Sequence, residues 1–276
     1  MPSKLARFTK RCVGLCQKAV GSDPDPPVRK GDGGYADWVI VGLHCLREYL
    51  DHTYRKLMDV LQEMPTIIEM FGLTASTLPD FTTVCARKQD IKMNVWQVLL
   101  RLSVSLHELG DVQAIDATGF GRRAVSRHYG KRIRYYFQAV KTTVLVDCST
   151  NAIIDVHCSM KQPHDTQIGW QVLTRNLDKL STITADKGYD WDDLREELRA
   201  HNIRPVIKHK ENWNLDKAHN ARMDDDVYHL RSNVESAFFA LKHRFGDRLR
   251  ARTWFGQFRE LVLMAAVRNI ELHVRG

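Results

Sequence analysis

From Val112 the chain reads as three strand segments in quick succession and then as helix and strand in alternation. That order restricts the fold more than any other feature. "VQAIDAT" is a short apolar run. "RIRYYFQAVKTTVLVDCS" is longer and rich in aromatic and β-branched residues, which suit a pleated, half-buried surface. "NAIIDVHCSM" follows a turn at Ser149-Thr150-Asn151. Three strands with short connections predict a meander. "DTQIGWQVLTRNLDKL" has helical spacing, with Asp165 or Thr166 as its cap. "STITADKGYD" is a strand running into a glycine turn, "DDLREELRAH" a helix and "IRPVIKH" a strand. "KENWNLDKAHNARMDDD" reads as a polar loop. Two helices close the chain, "YHLRSNVESAFFALKHRFG" (Tyr228 to Gly246) and "FRELVLMAAVRNIELHV". The order βββαβαβα predicts an α/β fold with a mixed central sheet and helices on its faces.

The first hundred residues have a different texture. Residues 21–34, "GSDPDPPVRKGDGG", are rich in Pro, Gly and charge, so 1–34 reads as a short basic arm and a flexible linker. Residues 35–107 are helical in pattern: "DWVIVGLHCLREYL" and "YRKLMDVLQEMPTIIEMF" carry apolar residues three and four apart. "GLTASTLPDFTTVCARKQ" adds a turn and a short helix ending in Arg87-Lys88. This small helical N-terminal domain suits a helix-turn-helix module, and equally an ordinary helical bundle.

A formal charge of +8 and a pI of about 9.2 suggest a polyanionic partner, most often nucleic acid. The six cysteines (Cys12, Cys16, Cys45, Cys85, Cys148, Cys158) form no CxxC pair, and Cys12 and Cys16 lack a second ligand pair at zinc-finger spacing. They read as free thiols of a reducing cytoplasm. The basic N-terminus is interrupted by charge and is not a signal peptide, and no apolar run has the length of a membrane span. The expectation is a soluble, cytoplasmic protein.

The helix from Tyr228 carries two stripes. Val227, Val234, Phe238, Leu241 and Phe245 form an apolar one. At 100° per residue, Tyr228, Arg231, Glu235 and Lys242 form a second, within about 40° of Glu235. Alone, this polar stripe reads as a solvated face with an Arg231–Glu235 ion pair. Two further carboxylates change its meaning. Asp116 lies among apolar residues in the first strand segment, where an acid is costly unless satisfied. Asp186 lies where "TITAD" meets its turn, and strand ends in open sheets commonly bind ligands. Each has a plainer reading: a turn cap before Gly119 for Asp116, an Asx turn for Asp186. Taken together, strands one and four can be neighbours, and a helix crossing them can bring Glu235 to the same place. Three converging carboxylates hold hard divalent cations and suit metal-assisted phosphoryl transfer.

Four stretches carry a resemblance to a known family: "AIDATGF", "ADKGYD", "RPVIKH" and the helix from Tyr228 to Lys242. The chain resembles the DDE transposases of prokaryotic insertion sequences, nearest to the insertion-sequence-five group. Its helix signature of Tyr, Arg, Glu and Lys is matched at every interval by Tyr228, Arg231, Glu235 and Lys242. The likeness spans about 108–276.

The resemblance implies a ribonuclease H-like DDE catalytic domain over 108–276 with no large insertion before Glu235. Asp116, Asp186 and Glu235 become the metal-binding catalytic residues, with two Mg²⁺ ions for which Mn²⁺ substitutes. Tyr228, Arg231 and Lys242 become DNA contacts near the cut. The implied partners are terminal inverted repeats, target DNA and at least a second copy of the chain. The helical part and the basic residues Lys4, Arg7, Lys10 and Arg11 would recognise the repeats, with Arg87 and Lys88 as candidate readers. "KQPHDTQ", with His164 and Asp165, also looks like a family stretch, and a helix cap is its simplest role. The alternatives are a ribonuclease H-like nuclease without strand transfer and a DNA-binding derivative without catalysis.

Overall fold

The computed structural model describes residues 2–29, 34–122, 139–161 and 163–275. The chain divides into two compact units, one of Met1–Leu106 with Val262–Gly276 and one of His107–Leu261.

The first unit is helical. The segment expected as a basic arm is instead the helix α1, Lys4–Val20, capped by Ser3, whose hydroxyl accepts from the Ala6 N–H at 3.1 Å. The charges that interrupt its apolar residues lie on one face, while Phe8, Cys12, Leu15, Cys16 and Ala19 are buried on another. Helix α2, Asp37–Leu50, packs on it and is buried almost throughout. The next helical stretch is split into α3, Tyr54–Gln62, and α4, Pro65–Glu69. Pro65 has no N–H to continue the first helix and takes the first position of the second. Asp80 caps α5, Phe81–Arg87, and α6 follows at Met93–Val104. Arg87 is spent on structure: its guanidinium bonds the Asp37 carboxylate at 2.5 Å and the Tyr35 carbonyl at 3.3 Å.

The second unit is built on a mixed sheet. Its strands are β1 (Val112–Arg122), β2 (Val140–Asp147), β3 (Ile153–Ser159), β4 (Thr182–Ala185), β5 (Arg204–Ile207) and β6 (Arg248–Leu249). The order is β3-β2-β1-β4-β5. The first three strands pair antiparallel, and β4 and β5 run parallel to β1. This is the ribonuclease H-like arrangement of a mixed sheet. The short β6 adds a parallel pairing at the far end of β1, which sequence reading missed. The expected second strand begins at Val140, and its "RIRYYFQ" half lies outside the described residues.

Helices between the strands are α7 (Asp165–Thr174), α8 (Asp192–Ala200), α9 (Asn214–Ala221), α10 (Asp225–His229) and α11 (Ser232–Phe245). Helix α7 stops sooner than its sequence suggests. The Asn176 amide bonds the Val172 carbonyl at 2.7 Å and Asp155 at 2.6 Å, drawing the chain out of the helix. Its N-cap is His164, without a side-chain bond, rather than Asp165 or Thr166. The stretch read as a polar loop contains α9. Asp216 accepts from the Asn212 and Trp213 N–H groups at 3.1 and 2.9 Å and starts that helix. Asn220 ties it back to both backbone groups of His209.

The helix expected from Tyr228 to Gly246 is two helices. At the junction Leu230 N–H bonds Val227, Arg231 bonds Tyr228, and Val234 bonds Arg231, all three residues back rather than four. The carbonyls of Tyr228 and Leu230 accept in addition from the side chains of Thr184 and Cys148. Gly246, with φ +90°, ends α11 as its sequence predicts. The last helix, α12, is Trp254–Arg275, with residues from Val262 grouped in the first unit.

Candidate active site

Strand β2 is buried on both faces, but the buried run of β1 opens at Asp116, Ala117 and Thr118. β1 continues through Gly119 to Arg122, so Asp116 caps no turn. The parallel pairing of β1 with β4 joins Val112 to Thr182, Gln113 to Ile183 and Ala114 to Thr184. The same offset brings Asp116 level with Asp186, just past the carboxyl end of β4. Asp186 does make an Asx-type cap, accepting from the Gly188 N–H at 2.5 Å. The cap and the placement coexist, because the cap fixes the carboxylate at the strand end.

Glu235 and Lys242 are seven residues apart, close to two helical turns, so they share one face of α11. Lys242 fixes where that face lies. Its Nζ donates to Thr118 Oγ1 at 2.8 Å and stands 5.3 Å from the Phe120 ring centre. Thr118 and Phe120 share the face of β1 that carries Asp116. The helix face is thereby laid against the face of the strand that holds the acid.

Asp116 is pushed up to about 6. Burial is the largest cause; the Ala117 N–H, at 2.7 Å, opposes it, and the charges of Asp186, Asp165 and Glu235 reinforce it. Asp165, read as a cap, thus belongs to the acidic group. Its other contact is an ion pair with Lys141 at 2.8 Å. A Cβ on Gly188 would stand 2.7 Å from Asp186 Oδ1 and 3.4 Å from Asp165 Oδ2, so the absence of a side chain there leaves both oxygens room. Tyr189 is fully buried with its hydroxyl unpartnered, and its pKa is raised by burial first and then by Asp116, Asp165 and Asp186. Neither "HDT" nor "KGY" signals these roles in sequence, since a helix start and a turn explain them equally.

The remaining stripe residues are separated by the helix break. Tyr228 lies on α10 and is buried, with Lys208 Nζ 4.3 Å and the Arg231 guanidinium 5.3 Å from its ring centre. Arg231, at the N-cap of α11, lies 3.7 Å from Glu235, whose side chain is 63 % exposed. Tyr228, Arg231 and Glu235 therefore meet around a bend rather than along one wheel.

An acid raised by burial and by neighbouring carboxylates, as Asp116 is, lacks enough counter-charge, which divalent cations supply. The residues fit such ions, with Asp116, Asp186 and Glu235 as holders. Among the described residues, these three do not bring their oxygens within 4.8 Å of one another as a single-ion trio would.

Residues 107–270 match the family described as "Transposase DDE domain". The chain belongs to this family. Similar solved structures include the piggyBac transposase synaptic complex with hairpin DNA, at 11% identity and a TM-score of 0.46, covering 98% of this chain and 66% of that one. Another is the simian T-cell lymphotropic virus intasome in complex with PP2A regulatory subunit B56 gamma. It is 12% identical with a TM-score of 0.34, covering 66% of this chain and 62% of that one. The chain thus spans just under two thirds of each chain's length. Among the described residues, no helix is long and apolar enough to cross a membrane.

Proposed function

We propose that this member of the DDE family is a transposase of the insertion-sequence-five group, cutting DNA at the ends of its element and joining those ends to target DNA. The observation that carries the reading is the parallel register of β1 with β4, which carried two residues further sets Asp116 level with Asp186, with the charge of Glu235 felt at Asp116. Asp116, Asp186 and Glu235 would hold two Mg²⁺ ions, or Mn²⁺ in their place. When bound, these cations lower the charge barrier to attack on a phosphodiester and stabilise the leaving oxygen.

The chain's own residues position the strands. Lys242, tethered two residues from Asp116, presents its ammonium to the phosphate beside the cut. Arg231, 38 % exposed, reaches the neighbouring phosphate, and Tyr228 holds Arg231 and Lys208 beside one another by cation–π contact. Water attacks the phosphorus at the element's end, and the element's 3′ oxygen leaves as a hydroxyl. That hydroxyl then attacks a target phosphodiester, forming one new P–O bond while the target's 3′ oxygen departs. No protein–DNA bond forms at either step.

In the helical unit, Arg7, Lys10, Arg11 and Lys18 line one groove, which supports binding of a DNA backbone there. Two ends are brought together by at least a dimer of the chain.

The test of joining uses DNA with pre-cut 3′-hydroxyl ends of the element and a supercoiled plasmid target, with Mg²⁺. Covalent insertion of labelled ends supports transposition. Cutting of uncut ends without any insertion of pre-cut ones favours the nuclease reading.

A further inference from the structure

A second cluster of ligand-type side chains lies apart from the acids, in the helical unit. Cys12 and Cys16, four residues apart, share a face of α1, and Cys45 comes from α2. Their sulfur atoms all lie within 4.8 Å of one another, with Cys12 and Cys16 Sγ 3.8 Å apart. All three residues are fully buried. We propose that Cys12, Cys16 and Cys45 form a site for a soft, thiophilic cation, Zn²⁺ or Cu⁺, that ties α1 to α2.

The spacing is the first argument. A thiolate binds such a cation at about 2.3 Å, which sets ligand sulfurs about 3.8 Å apart in tetrahedral and about 4.0 Å apart in trigonal geometry. The triangle of sulfurs already has the size of a first coordination shell. The ligand type is the second. Sulfur alone selects soft cations and rejects Mg²⁺ and Mn²⁺, which take oxygen. The two sites on this chain therefore do not compete for one ion.

Charge is the third. Without a cation the site is neutral, and a cation displaces the protons. Three thiolates around Zn²⁺ leave one negative charge, less than four-thiolate zinc sites carry. Glu48, the acid felt by Cys45, is paired with Arg47. On the basic face of α1 lies the groove of Arg7, Lys10, Arg11 and Lys18, so fixing α1 on α2 also fixes that surface.

Three packed thiols without a cation would have similar spacing, and the experiment separates the two. Reduced, metal-free full-length protein is loaded in the presence of Mg²⁺ with Zn²⁺ or, without oxygen, with Cu⁺. It is then desalted, and the metal is counted. The expected result is about one equivalent per chain of at least one cation, with a raised melting temperature. X-ray absorption of the loaded wild type shows a sulfur shell at about 2.3 Å and needs no variant. Retention falls at least about tenfold in Cys45→Ala, and stays in Glu235→Gln and in Cys85→Ser, a variant of an exposed cysteine. The difference between the Zn²⁺ and Cu⁺ arms names the ion. No retained metal in either arm, or a retained ion with an oxygen and nitrogen shell, overturns the proposal.

Discussion

Lys242 Nζ donates to Thr118 Oγ1 at 2.8 Å, joining α11 to the acid-bearing strand across most of the sheet unit's sequence. The bond sets the height at which Glu235 approaches Asp116. A hydrogen bond to a charged group is worth about 1.5–3 kcal/mol. Lys242→Ala should lower DNA-cleavage turnover by about 10–100-fold and also weaken DNA binding. Thr118→Val keeps the ammonium, so single-turnover cleavage should slow by about tenfold while affinity in a gel-shift titration stays near wild type.

The raised pKa of Asp116 gives a pH dependence with a definite sign. Asp ordinarily ionises at 3.8, and Asp116 in the folded chain at about 6. Between those values the folded state binds the proton more tightly than the unfolded one. Metal-free protein should therefore lose stability as pH rises from about 4 to about 6, and stay lower above that range. Mg²⁺ or Mn²⁺ neutralises the crowded carboxylates, so the cation-induced rise in melting temperature should grow across the same window. Thermal melts from pH 4 to 8, with and without cation, check it. Asp165→Asn removes one reinforcing charge, and carboxyl NMR should find the Asp116 midpoint shifted down.

The sheet was readable because its strands are apolar, β-branched and separated by turn residues. The acids were readable because Asp116 interrupts an apolar strand. The break at Leu230-Arg231 was not, because helix spacing continues through it and the side chains that bond its carbonyls, Cys148 and Thr184, are remote in sequence. Asp165 was misread for the same reason. Its local sequence is a helix start, and only the sheet brings Lys141, Asp186 and Asp116 near it. α1 was hidden by its charges, which sit on one face of a helix whose other face is core.

Packing behind the acids is tight. A Cβ on Gly169 of α7 would stand 2.7 Å from two ring carbons of the fully buried Tyr189. The ring has nowhere to move, so Gly169→Ala should cost about 1–3 kcal/mol. The melting temperature should drop by about 2–4 °C per kcal/mol, read by calorimetry. Cleavage per folded molecule should fall as well, since Tyr189 supports the Asp186 turn.

Arg195 is 3 % exposed and binds Asp190 at 2.7 Å and the Ile207 carbonyl at 3.1 Å, locking the start of α8 to the end of β5. Removing one partner of a buried pair costs about 3–5 kcal/mol. Arg195→Met should lower the free energy of unfolding, read from denaturant titration, by that much without changing the sites of DNA cutting in the protein that remains folded.

The most direct measurement is strand cleavage on DNA spanning the protein's own gene flanks. Wild type and Glu235→Gln are each incubated with and without Mg²⁺, and products are mapped to the nucleotide. The account predicts Mg²⁺-dependent nicks at fixed positions, ending in 3′-hydroxyls, with the variant at least about 10³-fold slower. Cleavage by Glu235→Gln at the wild-type rate, or wild-type protein that binds this DNA and never cuts it in Mg²⁺ or Mn²⁺, would contradict the assignment of Asp116, Asp186 and Glu235 as the catalytic centre.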